Sequence, residues 1–355
     1  MRVFSLMGKL MVAGALLLAP VVSFAGIFIS VGVAPPALPV YTQPLCPGDG
    51  YLWTPGYWHY GPAGYYWVPG VWVRPPQVGS LWTPGYWGWG GSAFIFHEGY
   101  WGPHIGFYGG VNYGFGYGGT GYEGGYWNHG AFAYNRAVNN INVTNVHNVY
   151  NKTVIVNNVT VNRVSYNGGN GGLQARASAQ EQAAIREQHA APTGEQQTHL
   201  EAARADRTQL ASVNGGRPQM AAAHTASEYH AVAQQHAASH PITERDRAAN
   251  QQQRIGNGVK SGQLTARATG NLENREAGIN HQAAVDRAAN GGRLTPQEHQ
   301  QINQRQNNVS QSIRNDTHNG ATDRAVQQRQ APPRAQPENH PAQGGGHGEG
   351  PGHLR

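Results

Sequence analysis

A six-residue motif recurs between positions 53 and 101 and restricts the fold of this chain more than any other feature. It reads Trp53-Thr54-Pro55-Gly56-Tyr57-Trp58, then Trp67-Val68-Pro69-Gly70-Val71-Trp72, then Trp82-Thr83-Pro84-Gly85-Tyr86-Trp87. Successive copies start 14 and 15 residues apart. Two looser copies follow, Phe96-His97-Glu98-Gly99-Tyr100-Trp101 and Tyr122-Glu123-Gly124-Gly125-Tyr126-Trp127. Pro and Gly in every full copy exclude a continuous helix. Pro presets φ and Gly accepts a positive φ, so Pro55-Gly56 fits the centre of a type II turn that sets Trp53 opposite Trp58. Second turn signals stand between copies, at Gly61-Pro62-Ala63-Gly64, over 75–80 and at Gly90-Gly91-Ser92. The simplest arrangement is a tight antiparallel meander. The alternative makes Pro-Gly a bulge inside a longer edge strand.

All nine tryptophans lie between Trp53 and Trp127, and residues 51–128 hold only Arg74, Glu98 and Glu123 as charged side chains. One face of a small sheet cannot bury so many rings, so several are expected to stay exposed. Exposed aromatic patches mark binding or assembly surfaces. The expected platform is Trp53, Trp58, Trp67, Trp72, Trp82 and Trp87, with Tyr57 and Tyr86 beside them. The competing expectation is that the rings pack on each other as a minimal core. The repeat resembles the bacterial W-x-x-G-x-W (Y-x-W-G-x-W) family of exported proteins. The resemblance covers about 75 of 355 residues. It implies export and carries no activity over to this chain.

Residues 1–25 read as a secretory signal: Arg2 and Lys9 are positive, Leu10 to Val22 is apolar, and Ser23-Phe24-Ala25 offers a cleavage site. No later segment is apolar for long enough to span a membrane. The expected location is therefore periplasm, outer surface or medium. Residues 26–50, with five prolines, read as an extended linker. Cys46 has no second cysteine to pair with.

Over 129–172 the chemistry turns to Asn and Val. Asn139, Asn142, Asn145, Asn148 and Asn151 recur every third residue. β-branched density predicts strands, with Asn157-Asn158 closing a hairpin. A glycine cluster ends this segment. From 173 to 250 Ala, Gln and Glu dominate. Capping boxes at Ser178/Glu181 and Thr193/Gln196 open helices with few core residues, expected to be exposed or loosely docked. Over 251–318 a second repeat runs with a 30-residue offset: Gly262-Gln263-Leu264-Thr265 matches Gly292-Arg293-Leu294-Thr295. It predicts three helices joined by G-x-L-T turns, each apolar on one face. Residues 319–355 have almost no apolar side chains and are expected to be disordered. The fold class is thus a small all-β aromatic meander with an Asn/Val hairpin, then a loosely packed α-helical region with substantial disorder.

Catalytic signatures are missing from the sequence: it has no G-x-S-x-G, no H-E-x-x-H and no matched pair of acids. An enzyme is not expected, nor is a cofactor. The G-x-L-T-x-x-E turn looks like the second half of an EF-hand loop. Arg287, Ala289 and Gly291 then occupy ligand positions that need oxygen donors, which argues against calcium. His236 and His240 stand one helical turn apart, as metal ligands can, without a completing ligand. Net charge is +6, but the arginines are interleaved with acids and make no compact patch, so no nucleic-acid role is expected. The expected role is a non-enzymatic structural or interaction protein of the cell envelope. Its partner would be an envelope polysaccharide, a protein or another copy of itself. Carbohydrate binding on the Trp/Tyr platform is the alternative, and divalent-metal binding a weaker one.

Overall fold

A computed structural model of the chain describes residues 30–154 and 163–318. The signal over 1–25, the tail over 319–355 and the Asn157-Asn158 turn lie outside these residues.

A short β1 (Ser30–Val31) precedes the repeats. The Pro-Gly pairs do not make the hairpin turns; they interrupt long strands. β2 (Leu52–Thr54) and β3 (Tyr57–Gly61) form one arm of a hairpin, β4 (Gly64–Val68) and β5 (Val71–Val73) the other. The chain reverses at Gly61-Pro62-Ala63-Gly64, the second turn signal. Trp58 pairs with Trp67, and Trp53 with Trp72. The register is the same on both sides of the interruption, so Pro55-Gly56 of one arm lies against Pro69-Gly70 of the other. The second hairpin repeats this with β6 (Leu81–Thr83), β7 (Tyr86–Trp89), β8 (Phe94–His97) and β9 (Tyr100–Gly102). There Trp82 pairs with Trp101 and Trp87 with Phe96, and the turn falls at residues 90–93.

The motif chemistry explains these waists. Proline has no N–H, so the ladder opens at each Pro-Gly pair. The freed glycine amides donate elsewhere, Gly56 to the Tyr41 hydroxyl at 3.3 Å and Gly70 to the Ala221 carbonyl at 3.1 Å. The glycines leave room for rings from the opposite arm. A Cβ on Gly56 would stand 2.4 Å from the Trp67 ring, and one on Gly70 2.5 Å from Trp53. In the second hairpin Trp82 covers Gly99 and Phe96 covers Gly85, at 2.5 and 2.8 Å by the same measure.

Further strands complete the β half: β10 (Asn112–Gly114), β11 (Tyr117–Gly118), β12 (Gly125–Asn128), β13 (Ala131–Asn135), β14 (Val149–Tyr150) and β15 (Tyr166–Asn167). β12, β13 and β14 form one small sheet; β1, β8, β7 and β15 form another in that order. The Asn-rich run between β13 and β14 makes turns, not the expected strands. Its side chains bond to backbone instead: Asn139 Nδ2 donates to Gly124 O at 2.6 Å and Asn140 Nδ2 to Gln43 O at 2.9 Å. Asparagine competes with ladder formation in this way.

Residues 32–50 are extended, as expected, but they are not a free linker. They strap across the repeats and accept indole hydrogens. Trp58 Nε1 donates to Ala37 O at 3.1 Å and Trp72 Nε1 to Pro44 O at 2.9 Å. Leu38 and Cys46 of this strap are buried.

The helices that follow are α1 (Ala179–Ala184), α2 (Gly194–Ala205), α3 (Ala211–Asn214) and α4 (Ala226–Ser239). Both expected capping boxes, Ser178/Glu181 and Thr193/Gln196, are present. Loose docking is not what the structure shows. The segment bonds to the hairpins by backbone: Gly70 accepts from Ala223 at 2.9 Å, and Trp101 exchanges bonds with Ala190 at 2.9 and 2.8 Å. Small alanines let these backbones approach, which a count of large apolar residues does not register. Tyr229, Leu210 and Ala203 enter the same core as the tryptophans.

The last unit is a three-helix bundle of α5 (Glu244–Ser261), α6 (Ala266–Ala289) and α7 (Pro296–Thr317), joined by the two G-x-L-T turns. Its core holds Ile255, Leu264, Leu272, Ile279, Ala283, Ile302, Val309 and Ile313. Glu298 closes a capping box with Thr295, and its carboxylate is held by Thr295 N and Asn290 Nδ2 at 2.7 and 2.9 Å. The bundle meets the first hairpin where Tyr60 donates to Asn250 Oδ1 at 2.8 Å and Asn250 Nδ2 to Pro62 O at 3.0 Å. Among the described residues no helix is long and apolar enough to cross a membrane.

Candidate functional site

The six tryptophans expected as a platform are enclosed. Trp53, Trp67 and Trp72 are 0% exposed, Trp58 1%, Trp87 2% and Trp82 6%. The strap, the second hairpin and the helical segment cover rings that one sheet face could not hide. Cross-strand ring pairs reinforce this core: Trp58 and Trp67 meet edge-on at 5.2 Å, Trp53 and Trp72 at 5.4 Å. Such pairs contribute about 0.5–1.5 kcal/mol each beyond area burial. Tyr57 and Tyr86 are half-buried; Tyr57 stacks on Phe96 and Tyr86 on His97, at 5.6 and 4.5 Å. No exposed indole platform is formed by these residues.

A cleft opens instead where the two waists face α2. Its volume is about 380 Å3. Pro55, Tyr57 and Pro69 come from the first hairpin, and Trp82 and Phe96 from the second. Helix α2 contributes Gln196, His199 and Leu200, and the exposed Glu98 lies on its rim. Of the eight expected site residues, Tyr57 and Trp82 line this cleft. Two buried histidines also line it. His59 Nδ1 lies 2.9 Å from the Tyr66 hydroxyl, and His199 Nε2 lies 2.8 Å from the Pro69 carbonyl. Burial drives both rings down to a pKa of about 4, so both are neutral at pH 7. Gln196 is fixed by its own cap and accepts from Trp101 Nε1 at 2.8 Å.

Each hairpin joins two six-residue motifs in antiparallel register, so the structural unit spans a pair. The WXXGXW repeat model matches the chain in two copies, at residues 48–73 and 79–101. The chain carries WXXGXW repeats. Each matched copy coincides with one hairpin and contains two motifs. In the second WXXGXW copy Phe96 takes the place of a tryptophan and still covers the facing glycine. The Tyr122–Trp127 motif lies outside the matched copies; its Trp127 pairs with Phe132 in a local hairpin. No curated protein and no solved structure matches the chain.

Elsewhere, the His236/His240 pair has other commitments. His236 Nδ1 lies 3.0 Å from the fully buried Asp206 carboxylate, which also accepts from Tyr229 at 3.2 Å. His240 Nδ1 lies 2.9 Å from Ser239 Oγ. Among the described residues no three His, Cys, Asp or Glu side chains come together to hold a metal ion.

His199 and Gln196 were not legible as cleft residues. They stand on an Ala/Gln helix far along the chain, and only the Thr193/Gln196 cap hinted at their order.

Proposed function

We propose that this is an exported, non-enzymatic protein of the cell envelope that acts by binding, with the cleft between its two WXXGXW hairpins as the binding site. The cleft carries the reading. It is a concavity of ligand size with aromatic and proline walls and a few polar groups, the common composition of small-molecule sites. Export rests on the charged, apolar and small-residue order of residues 1–25. A binding role suits the two buried histidines, which are neutral and engaged with Tyr66 and Pro69, better than acid–base work.

The tests are fractionation and retention. Cells producing the full chain should hold it outside the cytosol, and deletion of 2–25 should leave it inside. Retention on isolated envelope polymers should fall when Leu200→Trp fills the cleft. Cytosolic residence of the full chain, or retention indifferent to Leu200→Trp, would contradict the proposal.

A further inference from the structure

We propose a second site, independent of the cleft, where the turn of the first hairpin meets α2 and the three-helix bundle. There Arg204 and Arg247 bind the phosphate group of a small polyol or sugar ester. The cavity has a volume of about 340 Å3, within the range of about 300–1,000 Å3 usual for small-ligand sites. The Gly61-Pro62-Ala63-Gly64 turn forms one side, and Arg204 of α2, Arg247 of α5 and Asn307 of α7 come from the others. No Asp or Glu is among the lining residues.

Neither arginine is fully answered by the protein. The contrast is Arg207, between α2 and α3, whose Nε and Nη2 both donate to Asp246 at 2.8 Å. Arg247 follows Asp246 directly, yet it donates to the amide oxygens of Asn303 and Asn307 and has no carboxylate at ion-pair distance among the described residues. Burial holds its pKa below the usual arginine range, while Glu244 and Glu276 act on it only at a distance. Its Nε is enclosed and out of a ligand's reach, but its Nη2 bond to Asn307 lies at the surface. Arg204 is exposed, and Glu201, one turn before it on α2, makes only a loose surface pair at 3.5 Å. The Arg204 charge favours ionisation of Tyr66, another lining residue, which sets its guanidinium on this side of α2. Asn307 is exposed too; its Oδ1 accepts from Arg247, which leaves Nδ2 as a donor. Two guanidinium groups and an amide donor with no facing acid call for an oxyanion. A carboxylate would answer one cation. A phosphate monoester, with a charge of about −1.5 to −2 at pH 7, answers both. The rest of the cavity, lined by Leu210, Ile242 and the turn, holds the body of the ester.

The test is titration calorimetry on the full chain at low salt. The probes are glycerol 1-phosphate, glucose 6-phosphate, inorganic phosphate, sodium glucuronate and glycerol. At least one phosphate ester should bind, at least tenfold more tightly than glucuronate or inorganic phosphate, and glycerol should not bind. Arg247→Gln and Arg204→Gln should each weaken ester binding at least tenfold. Arg204 is exposed, so its variant covers the case in which Arg247→Gln fails to fold. Asn307→Asp supplies the missing carboxylate and should abolish ester binding. Arg293→Gln removes the same charge from an exposed position outside the cavity and should leave ester binding unchanged. Failure of both esters to bind would overturn the inference. So would glucuronate or inorganic phosphate binding as tightly as the esters. An equal loss in Arg293→Gln, or ester binding unchanged in Arg204→Gln and Asn307→Asp, would place the attraction elsewhere and also overturn it.

Discussion

The Trp67 ring lies on Gly56 so closely that a methyl group at position 56 would stand 2.4 Å from it. Trp53 lies on Gly70 in the same way, which gives the first hairpin an internal two-fold symmetry. Neither glycine has a positive φ. Glycine is required here for the approach of a ring, not for an unusual backbone. The facing atoms are aromatic carbons and backbone, which cannot yield as a flexible chain end could. Gly56→Ala or Gly70→Ala should therefore destabilise the repeat half by about 2–3 kcal/mol, measured by urea unfolding followed by indole emission. Gly194→Ala, where a Cβ meets nothing within 4 Å, should be close to neutral.

The indole hydrogens allow a finer comparison. Trp72 Nε1 donates to the Pro44 carbonyl at 2.9 Å, whereas Trp53 Nε1 is buried without a partner among the described residues. Both rings are fully buried, so Trp→Phe removes similar volume at each. Trp72→Phe also strands a carbonyl, while Trp53→Phe removes an unsatisfied donor. Trp53→Phe should be the milder change by about 1–2 kcal/mol. Equal losses in unfolding experiments would show that the strap over residues 32–50 does not serve as a hydrogen-bond partner.

Much of this architecture could be read from the residues, and the failures have physical causes. Gly61-Pro62-Ala63-Gly64 and the glycines at 90 and 91 marked the true hairpin reversals. Pro55-Gly56 suits both a turn and an interrupted strand, and only the facing Pro69-Gly70 decides between them. The G-x-L-T turns and the Leu272, Ile279, Ile302 and Val309 spacing predicted the bundle correctly, since each signal is local. Ring exposure was misjudged because the cover comes from a proline strap and alanine-rich helices with little apolar bulk of their own. The cleft could not be read at all, because His199 reaches Pro69 across 130 residues of chain.

The two halves should respond to pH in opposite directions. Glu276 is 1% exposed in the bundle core, and neither carboxyl oxygen has a partner among the described residues. Burial, aided by Glu273 and opposed by Arg247 and Arg275, raises its pKa to about 7. The folded bundle therefore holds the proton more tightly than the unfolded chain. Its stabilising contribution is complete below about 4.5 and is lost as pH rises through 7, at most about 3 kcal/mol. His59 and His199 act the other way. Their folded pKa values near 4 lie below the usual 6.5, so their contribution holds above 6.5 and is lost as pH falls toward 4. Calorimetry between pH 5 and 8 should show the bundle transition falling with pH and the repeat transition rising. Glu276→Gln should flatten the bundle response; an unchanged pH slope in that variant would contradict the assignment.

Cys46 is 1% exposed, and its thiol donates to Gly48 O at 3.3 Å. Burial pushes its pKa up to about 11, so almost no thiolate exists at pH 7–8. Native protein should react with a thiol-specific disulfide reagent orders of magnitude more slowly than denatured protein. Labelling at the denatured rate would place Cys46 outside the core.

Enclosure of the repeat tryptophans is the central claim, and iodide quenching of native indole emission tests it most directly. Among the nine tryptophans Trp89 is 37% exposed and Trp127 half-buried, and the other seven are buried, with Trp82 the most exposed of them at 6%. The emission should be blue-shifted, with only a minor fraction quenched, most of it removed by Trp89→Phe. Quenching of most of the emission as readily as in denaturant would mean that the rings face solvent, and would contradict the account.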